Sequence, residues 1–163
     1  MVSPIRAAVL TISTSRAAGE AEDLGGPALA AWAESIGATV VLRELISDDE
    51  AAIAARLRSI ADEALAELIL TTGGTGLAGS DRTPEATAAV IERPVPGIAE
   101  AMRLASRQFT SNWMLSRGLA GCRGAALIVN FPGSPKAIGQ AGAAIAAALP
   151  HAIALLAGGA DGH

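Results

Sequence analysis

Apolar runs alternate with helically spaced apolar positions along this chain, the arrangement of an α/β sheet. Arg6–Ile12 is apolar from its second residue apart from Thr11 and predicts a buried strand. A polar loop, Ser13–Glu22, follows. Asp23 predicts a helix cap, because Leu29, Trp32, Ala33 and Ile36 recur behind it at helical spacing and Gly37 stands where a helix stops. Ala38–Leu45 predicts a second strand. Ser47-Asp-Asp-Glu50 has the form of a capping box, ahead of a helix carrying Ile53, Leu57 and Ile60. Glu67–Thr72 predicts a third strand and Gly73–Asp81 a glycine-rich loop. Thr83 and Pro84 fit the cap and first residue of the next helix. A further helix is expected over Gly97–Arg107 and a fourth strand over Ala125–Phe131. Pro132–Pro135 reads as a turn that opens a helix running to about Ala148.

If the strands are mainly parallel, four polar loops meet at one edge of the sheet: Ser13–Ser15, Ser47–Asp49, Gly73–Asp81 and Pro132–Lys136. Open α/β sheets bind ligands at the carboxyl ends of their strands. The 163 residues suit one domain over 1–163, with enough chain for a core without disulfides or metal staples. The net charge of −4 and the absence of a basic run exclude a nucleic-acid footprint. Cys122 is the only cysteine, so no intrachain disulfide is possible, which fits a reducing cytoplasm. Its neighbour Arg123 favours a reactive thiolate, but a lone cysteine reads as inert. Ala7–Ile12 is too short for the core of a signal peptide. Ala137–Ala160 lacks charged side chains, yet it is mostly Ala and Gly and is interrupted at Pro150-His151. It predicts two packed helices, with His151 a packed structural residue, and no membrane span.

The chemistry concentrates in residues 71–86. Gly74, Gly76 and Gly79 formally match a dinucleotide fingerprint, but Pro84 delays the helix that should open at once, so an NAD-binding domain is disfavoured. Gly74 and Gly79 have the spacing of a P-loop, but Ser80 stands where its lysine must be. What remains is a backbone able to approach an anion closely, with hydroxyls from Thr71, Thr72 and Thr75 and with Asp81 in reach. The alternative is a tight turn without a ligand.

Gly73-Gly-Thr-Gly76 followed by Asp81-Arg-Thr-Pro-Glu-Ala86 resembles the signature of the MoaB/Mog family of molybdopterin adenylyltransferases, which includes the gephyrin G domain and its plant counterpart. Pro96-Gly97 with Glu100 and Met102-Arg103, Leu115-Ser-Arg117, Asn130-Phe-Pro-Gly-Ser-Pro-Lys136 and Ala148-Leu-Pro-His-Ala-Ile153 resemble later motifs in the same order. The resemblance implies a three-layer α/β/α sandwich with a mostly parallel central sheet. It implies transfer of AMP from ATP to the terminal phosphate of molybdopterin, with Mg2+, releasing pyrophosphate. It also implies a homotrimer or hexamer and the molybdenum insertase as a partner. A molybdopterin-binding protein without catalysis is the alternative within the family. Two positions depart from the family: Thr14 stands where an aspartate is common, and Ser80 where an arginine often precedes Asp81.

The resemblance matches Asp48 and Asp81 to the catalytic acids. Lying after the second and third strands, they could share one magnesium ion. Helix capping is the alternative for Asp48, and an Asx turn for Asp81. The expected binding set is Ser13, Gly73, Gly74, Thr75, Gly76, Glu100, Arg103, Ser116, Asn130, Pro132, Gly133, Ser134 and Lys136. Pro132-Gly-Ser134 opens a helix, whose first N–H groups bind phosphate well, although an ordinary turn would look the same. Glu100, Arg103 and Ser116 rest on the family pattern. Lys136 is the only lysine among twelve basic residues. In the first turn of a helix its charge opposes the dipole, which points to a phosphate-facing role; chance survival of one lysine in an arginine-biased sequence is the alternative.

Overall fold

The computed structural model describes residues 3–158. Its elements in chain order are β1 (Arg6–Ile12), α1 (Thr14–Ala17), α2 (Gly25–Ser35), β2 (Thr39–Ile46), α3 (Glu50–Asp62), β3 (Leu68–Thr72), α4 (Thr83–Val90), β4 (Arg93–Pro94), α5 (Pro96–Ser106), a 3-10 turn at Trp113–Leu115, β5 (Ala120–Arg123), β6 (Ala126–Phe131), α6 (Pro135–Ile145) and α7 (Leu149–Leu156). One sheet has the order β2-β1-β3-β6-β5-β4. The pairs β2-β1, β1-β3 and β3-β6 are parallel; β6-β5 and β5-β4 are antiparallel. The fold is therefore the expected α/β class with a mostly parallel sheet.

Side-chain alternation on the central strands separates two cores. Ala7 and Val9 face one side, where Leu68, Leu70, Val129 and Phe131 meet α2, α5, α6 and α7 through residues such as Leu29, Met102, Ile138 and Ile153. Ala8, Leu10 and Ile12 face the other, where Ile69 and Ile128 meet Ile53, Leu57 and Ile60 of α3 and Val90 of α4. Strands covered on both faces carry nearly continuous apolar runs, as Arg6–Ile12 and Ala126–Phe131 do. Aromatics are scarce, so one pair stands out: the rings of Trp32 and Phe131 lie 4.8 Å apart, centroid to centroid, tilted by 52°. The Trp32 indole sits where a Cβ on Gly142 would be, so α2 and α6 approach through a glycine.

Several local expectations need correction. The loop after β1 contains the short helix α1, capped by the Ser13 hydroxyl accepting from the Arg16 N–H at 3.4 Å. The cap of α3 is Asp49, which accepts from the Ala52 N–H, and not Ser47. Thr83 is the first residue of α4 instead of its cap. Its hydroxyl donates to the Gly73 carbonyl at 3.0 Å, so it closes the glycine loop. The cap residue of α2 is Leu24, not Asp23, but Asp23 just ahead of it accepts from the Gly26 N–H at 2.8 Å. Strands β4 and β5 were not expected. The segment after β6 is two helices, bent by 66° with respect to each other. Among the described residues no single helix is long and apolar enough to cross a membrane. Together α6 and α7 reach that length, but they bury Ile138, Ala141, Ile145, Leu149 and Ile153 in the core. His151 is exposed, contrary to expectation, because it lies on the face of α7 opposite Leu149 and Ile153.

Candidate active site

Parallel pairing brings the carboxyl ends of β1, β2, β3 and β6 to one edge, and all four polar loops meet there. They enclose a crevice of about 460 Å³. Ser13 and Arg16 line it from the first loop, Asp48 from the second, Gly73, Gly74 and Asp81 from the third, and Gly133, Ser134 and Pro135 from the fourth. Beyond Pro132 a second, smaller cavity of about 140 Å³ is mostly apolar. Met102, Arg103, Trp113, Ser116 and Asn130 line it.

The glycine loop has the shape that the sequence requires. Gly73 and Gly74 have φ of +96° and +70°, where a side chain is strained. A Cβ on Gly73 would lie 2.5 Å from the Ile12 carbonyl oxygen, and one on Gly74 would overlap the Thr83 hydroxyl. Gly76 has a different reason to be glycine: a Cβ there would come within 2.8 Å of Asp81 Oδ2. Its missing side chain makes room for the carboxylate. Asp81 Oδ2 also accepts from the Ala78 N–H at 3.1 Å, which leaves Oδ1 for other partners.

Asp48 is held by the neighbouring loop. Its Oδ2 accepts from the Thr14 N–H at 2.9 Å and the Thr14 hydroxyl at 3.1 Å. The Asp48 N–H donates back to the Thr14 hydroxyl at 3.0 Å. Asp48 Oδ1 faces Gly74, 3.5 Å from where a Cβ would be. Thr14 is therefore a clamp on the neighbouring acid.

Arg117, a residue without an expected role, organises the loop. Its N–H donates to the Thr75 carbonyl at 2.8 Å. Its guanidinium reaches the Gly76 carbonyl at 2.8 Å, the Asp81 carbonyl at 2.7 Å and both carboxylate oxygens of Glu85. Five hydrogen bonds thus tie both ends of the loop to the start of α4. The Arg117 hydrogen bond, opposed by partial desolvation and reinforced by the guanidinium charge, holds the Glu85 carboxyl below its usual range. A carboxyl lowered on folding contributes stability that is present at neutral pH and lost as pH falls through the folded value, below the ordinary glutamate value of about 4.3. Glu85→Gln is accordingly expected to flatten the fall in stability below that pH relative to the parent. Urea unfolding at pH 7, 4 and 3 tests this; parallel curves for both proteins would show that the pair contributes nothing to acid sensitivity.

The remaining expected residues divide plainly. Thr75 and Gly76 do not line the crevice, and their carbonyls are held by Arg117. Asn130 is buried, and both its amide hydrogens are committed, to the hydroxyls of Thr71 and Thr87 at 3.0 Å each, while its oxygen accepts from the Leu119 N–H. It cross-links β6, β3 and α4. Glu100 and Lys136 are exposed and line neither cavity. Lys136 is the second residue of α6 and lies outside the crevice that the preceding turn enters.

Residues 8–151 match the family model described as "Probable molybdopterin binding domain". The chain belongs to the molybdopterin-binding domain family. The molybdopterin adenylyltransferase of Escherichia coli K12 is 42% identical over 139 residues, covering 84% of this chain and 71% of that one. A molybdenum cofactor biosynthesis bifunctional protein from Synechococcus elongatus is 40% identical over 152 residues, 93% of this chain, which spans only 47% of that protein. Among solved structures, the molybdopterin biosynthesis enzyme MoaB of Thermus thermophilus superposes with a TM-score of 0.88 at 44% identity, covering 94% of this chain and 97% of that one. Within the molybdopterin-binding family, the crevice at the ends of β1, β3 and β6 is thus the feature to be explained chemically.

Proposed function

We propose that this protein transfers AMP from ATP to the terminal phosphate of molybdopterin. The observation that carries the reading is the convergence of Asp48, Asp81, the glycine loop and the Ser134-capped start of α6 on one crevice. The names of relatives such as the Escherichia coli adenylyltransferase favour this over binding without catalysis. In the reaction a phosphate oxygen of molybdopterin attacks the α-phosphorus of ATP, the bond to the β-phosphate oxygen breaks, and pyrophosphate leaves. A phosphate monoester loses its second proton near pH 6, so the attacking oxygen is ionised at neutral pH and needs no general base. The main demand on the protein is to hold two polyanions together. Pro135 has no N–H and the Ser134 hydroxyl and carbonyl hold those of Ala137 and Ile138, so the turn backbone of Gly133-Ser134 and the bare backbone of Gly73-Gly74 serve that end.

The donor set fits magnesium. Asp48 and Asp81 each present an oxygen not used by the bonds just described, and magnesium is commonly bound by one or two carboxylates plus water and phosphate. Among the described residues no group of three His, Cys, Asp or Glu side chains forms a complete cage. The ion is therefore expected to bind with the nucleotide and weakly alone. When bound, it neutralises phosphate charge and polarises the α-phosphate. We extend the reading to a homotrimer or hexamer in the cytoplasm that supplies the molybdenum insertase.

The direct test is incubation with molybdopterin, ATP and magnesium, with pyrophosphate and adenylylated pterin measured together. Tight molybdopterin binding without product would favour the non-catalytic reading. Thr14→Val tests the clamp on Asp48. It removes both hydroxyl bonds, to the Asp48 carboxylate and from the Asp48 N–H, and keeps the Thr14 N–H bond, so kcat is expected to fall about 3–10-fold, as for the one lost bond that orients the carboxylate. Molybdopterin affinity should not change, and Thr14→Ser should restore the rate. An undiminished kcat in the valine variant would leave Asp48 independent of its neighbour.

A further inference from the structure

The eleven arginines fall into three groups. Arg6, Arg56, Arg82, Arg117 and Arg123 are paired with carboxylates. Arg43, Arg58, Arg93 and Arg107 are exposed. Arg16 and Arg103 remain: both are half-buried, neither has a carboxylate partner among the described residues, and each lines one of the two cavities. Arg103 is an expected binding residue, and it spends one nitrogen on the Gly118 carbonyl at 2.9 Å. Arg16 was not expected, and it belongs to the polar crevice.

Arg16 is anchored at its base and open at its tip. Its Nε donates to the Glu22 carbonyl at 3.0 Å, and its own carbonyl accepts from the Gly19 N–H at 3.1 Å. Among the described residues its two terminal nitrogens donate to no protein acceptor. Guanidinium stays protonated at any working pH, so this is a fixed charge whose remaining donors need an anion or water. Among the described residues it is the only cation lining a crevice whose other charged groups are Asp48 and Asp81. Two acids and no other lining cation would repel a polyphosphate; an open guanidinium fork matches phosphoryl oxygens two at a time.

We propose that Arg16 is the phosphate-binding cation of the polar crevice, gripping phosphoryl oxygens through its two terminal nitrogens. This rests on the reading of the crevice as the site of adenylyl transfer. It assigns to the first loop the charge that Lys136 does not bring to the crevice.

Arg16→Gln keeps most of the stem and removes the charge; Arg16→Lys keeps the charge and removes the fork. Both are titrated calorimetrically with pyrophosphate, ATP and molybdopterin, and their melting temperatures are compared with the parent. Pyrophosphate affinity is expected to fall about 10–100-fold in Arg16→Gln, the loss of one charged hydrogen-bonded contact, and by less in Arg16→Lys. Melting should be unchanged, because the side chain makes a single bond within the protein. A fall in ATP affinity alone places the nucleotide phosphates on Arg16; a fall for molybdopterin alone places the pterin phosphate there. Parent-like pyrophosphate affinity in Arg16→Gln overturns the assignment, as does a parent that does not bind pyrophosphate. A parent that binds pyrophosphate through Arg16 but makes no adenylylated pterin leaves the assignment standing and removes the proposed activity.

Discussion

Asp81→Asn is expected to lower kcat about 10²–10³-fold while the protein stays folded. The geometry separates the two consequences. One carboxylate oxygen accepts from the Ala78 N–H, and an asparagine oxygen can do the same, so the turn survives. Gly76 still leaves the space that the side chain occupies. What disappears is one of the two carboxylate charges lining the crevice, and with it one of the two oxygens proposed to hold magnesium with the nucleotide. Melting temperature should move by less than about 2 °C, since nothing in the core is touched. Single-turnover formation of adenylylated pterin, measured beside thermal unfolding, gives both quantities. A folded variant with parental turnover would remove Asp81 from the chemistry.

Gly73→Ala carries the largest expected cost to stability. The residue has φ of +96°, and the added methyl would meet the Ile12 carbonyl oxygen at 2.5 Å. That oxygen is backbone in the central strand β1, so it cannot swing aside as a side-chain tip would. The left-handed conformation costs about 1–2 kcal/mol and the overpacking about 1–3 kcal/mol, together roughly 2–5 kcal/mol. For a chain of this size that lowers the melting temperature by about 5–15 °C. The loop must also withdraw from β1, so ATP affinity falls with stability. Gly79→Ala is the control, because open space surrounds that position. If the two variants melt together, the contact between Gly73 and β1 does not constrain the loop.

Much of the fold and the crevice is legible in the amino-acid sequence alone. Arg6–Ile12 is a strand with those bounds because both its faces are covered, which leaves an apolar run that no helix pattern imitates. The crevice is legible because parallel strands oblige their following loops to share an edge. The strands β4 and β5 are not, for local reasons. Arg93–Pro94 is two residues long, and Ala120–Arg123 contains Gly121, which fits close against Ile91 and Arg93 and has no β propensity of its own. Their pairing is dictated by tertiary contact. Arg117 is invisible as an organiser because its partners are mainly backbone carbonyls, 36 and 41 residues away for the side chain, and carbonyls have no residue type to read. Lys136 stands out by composition, but composition does not say which way a side chain points. Arg16 has no such flag; only the accounting of partners separates it from the other arginines.

The strand order has a consequence for the protein's birth on the ribosome. β1 lies between β2 and β3, so the amino-terminal half can assemble three adjacent strands as soon as Thr72 has emerged. β3 then waits for β6, more than fifty residues later, and the fourth wall of the crevice, Gly133–Pro135, follows it. Every nascent chain therefore passes through a stage in which an edge of β3, entirely apolar apart from its two threonines, is without its neighbour. Such an edge is a template for mispairing, and late, distant contacts slow its closure. The interval between residues 72 and 131 is thus where a chaperone would have most to protect, and where slowed translation would lengthen the exposure.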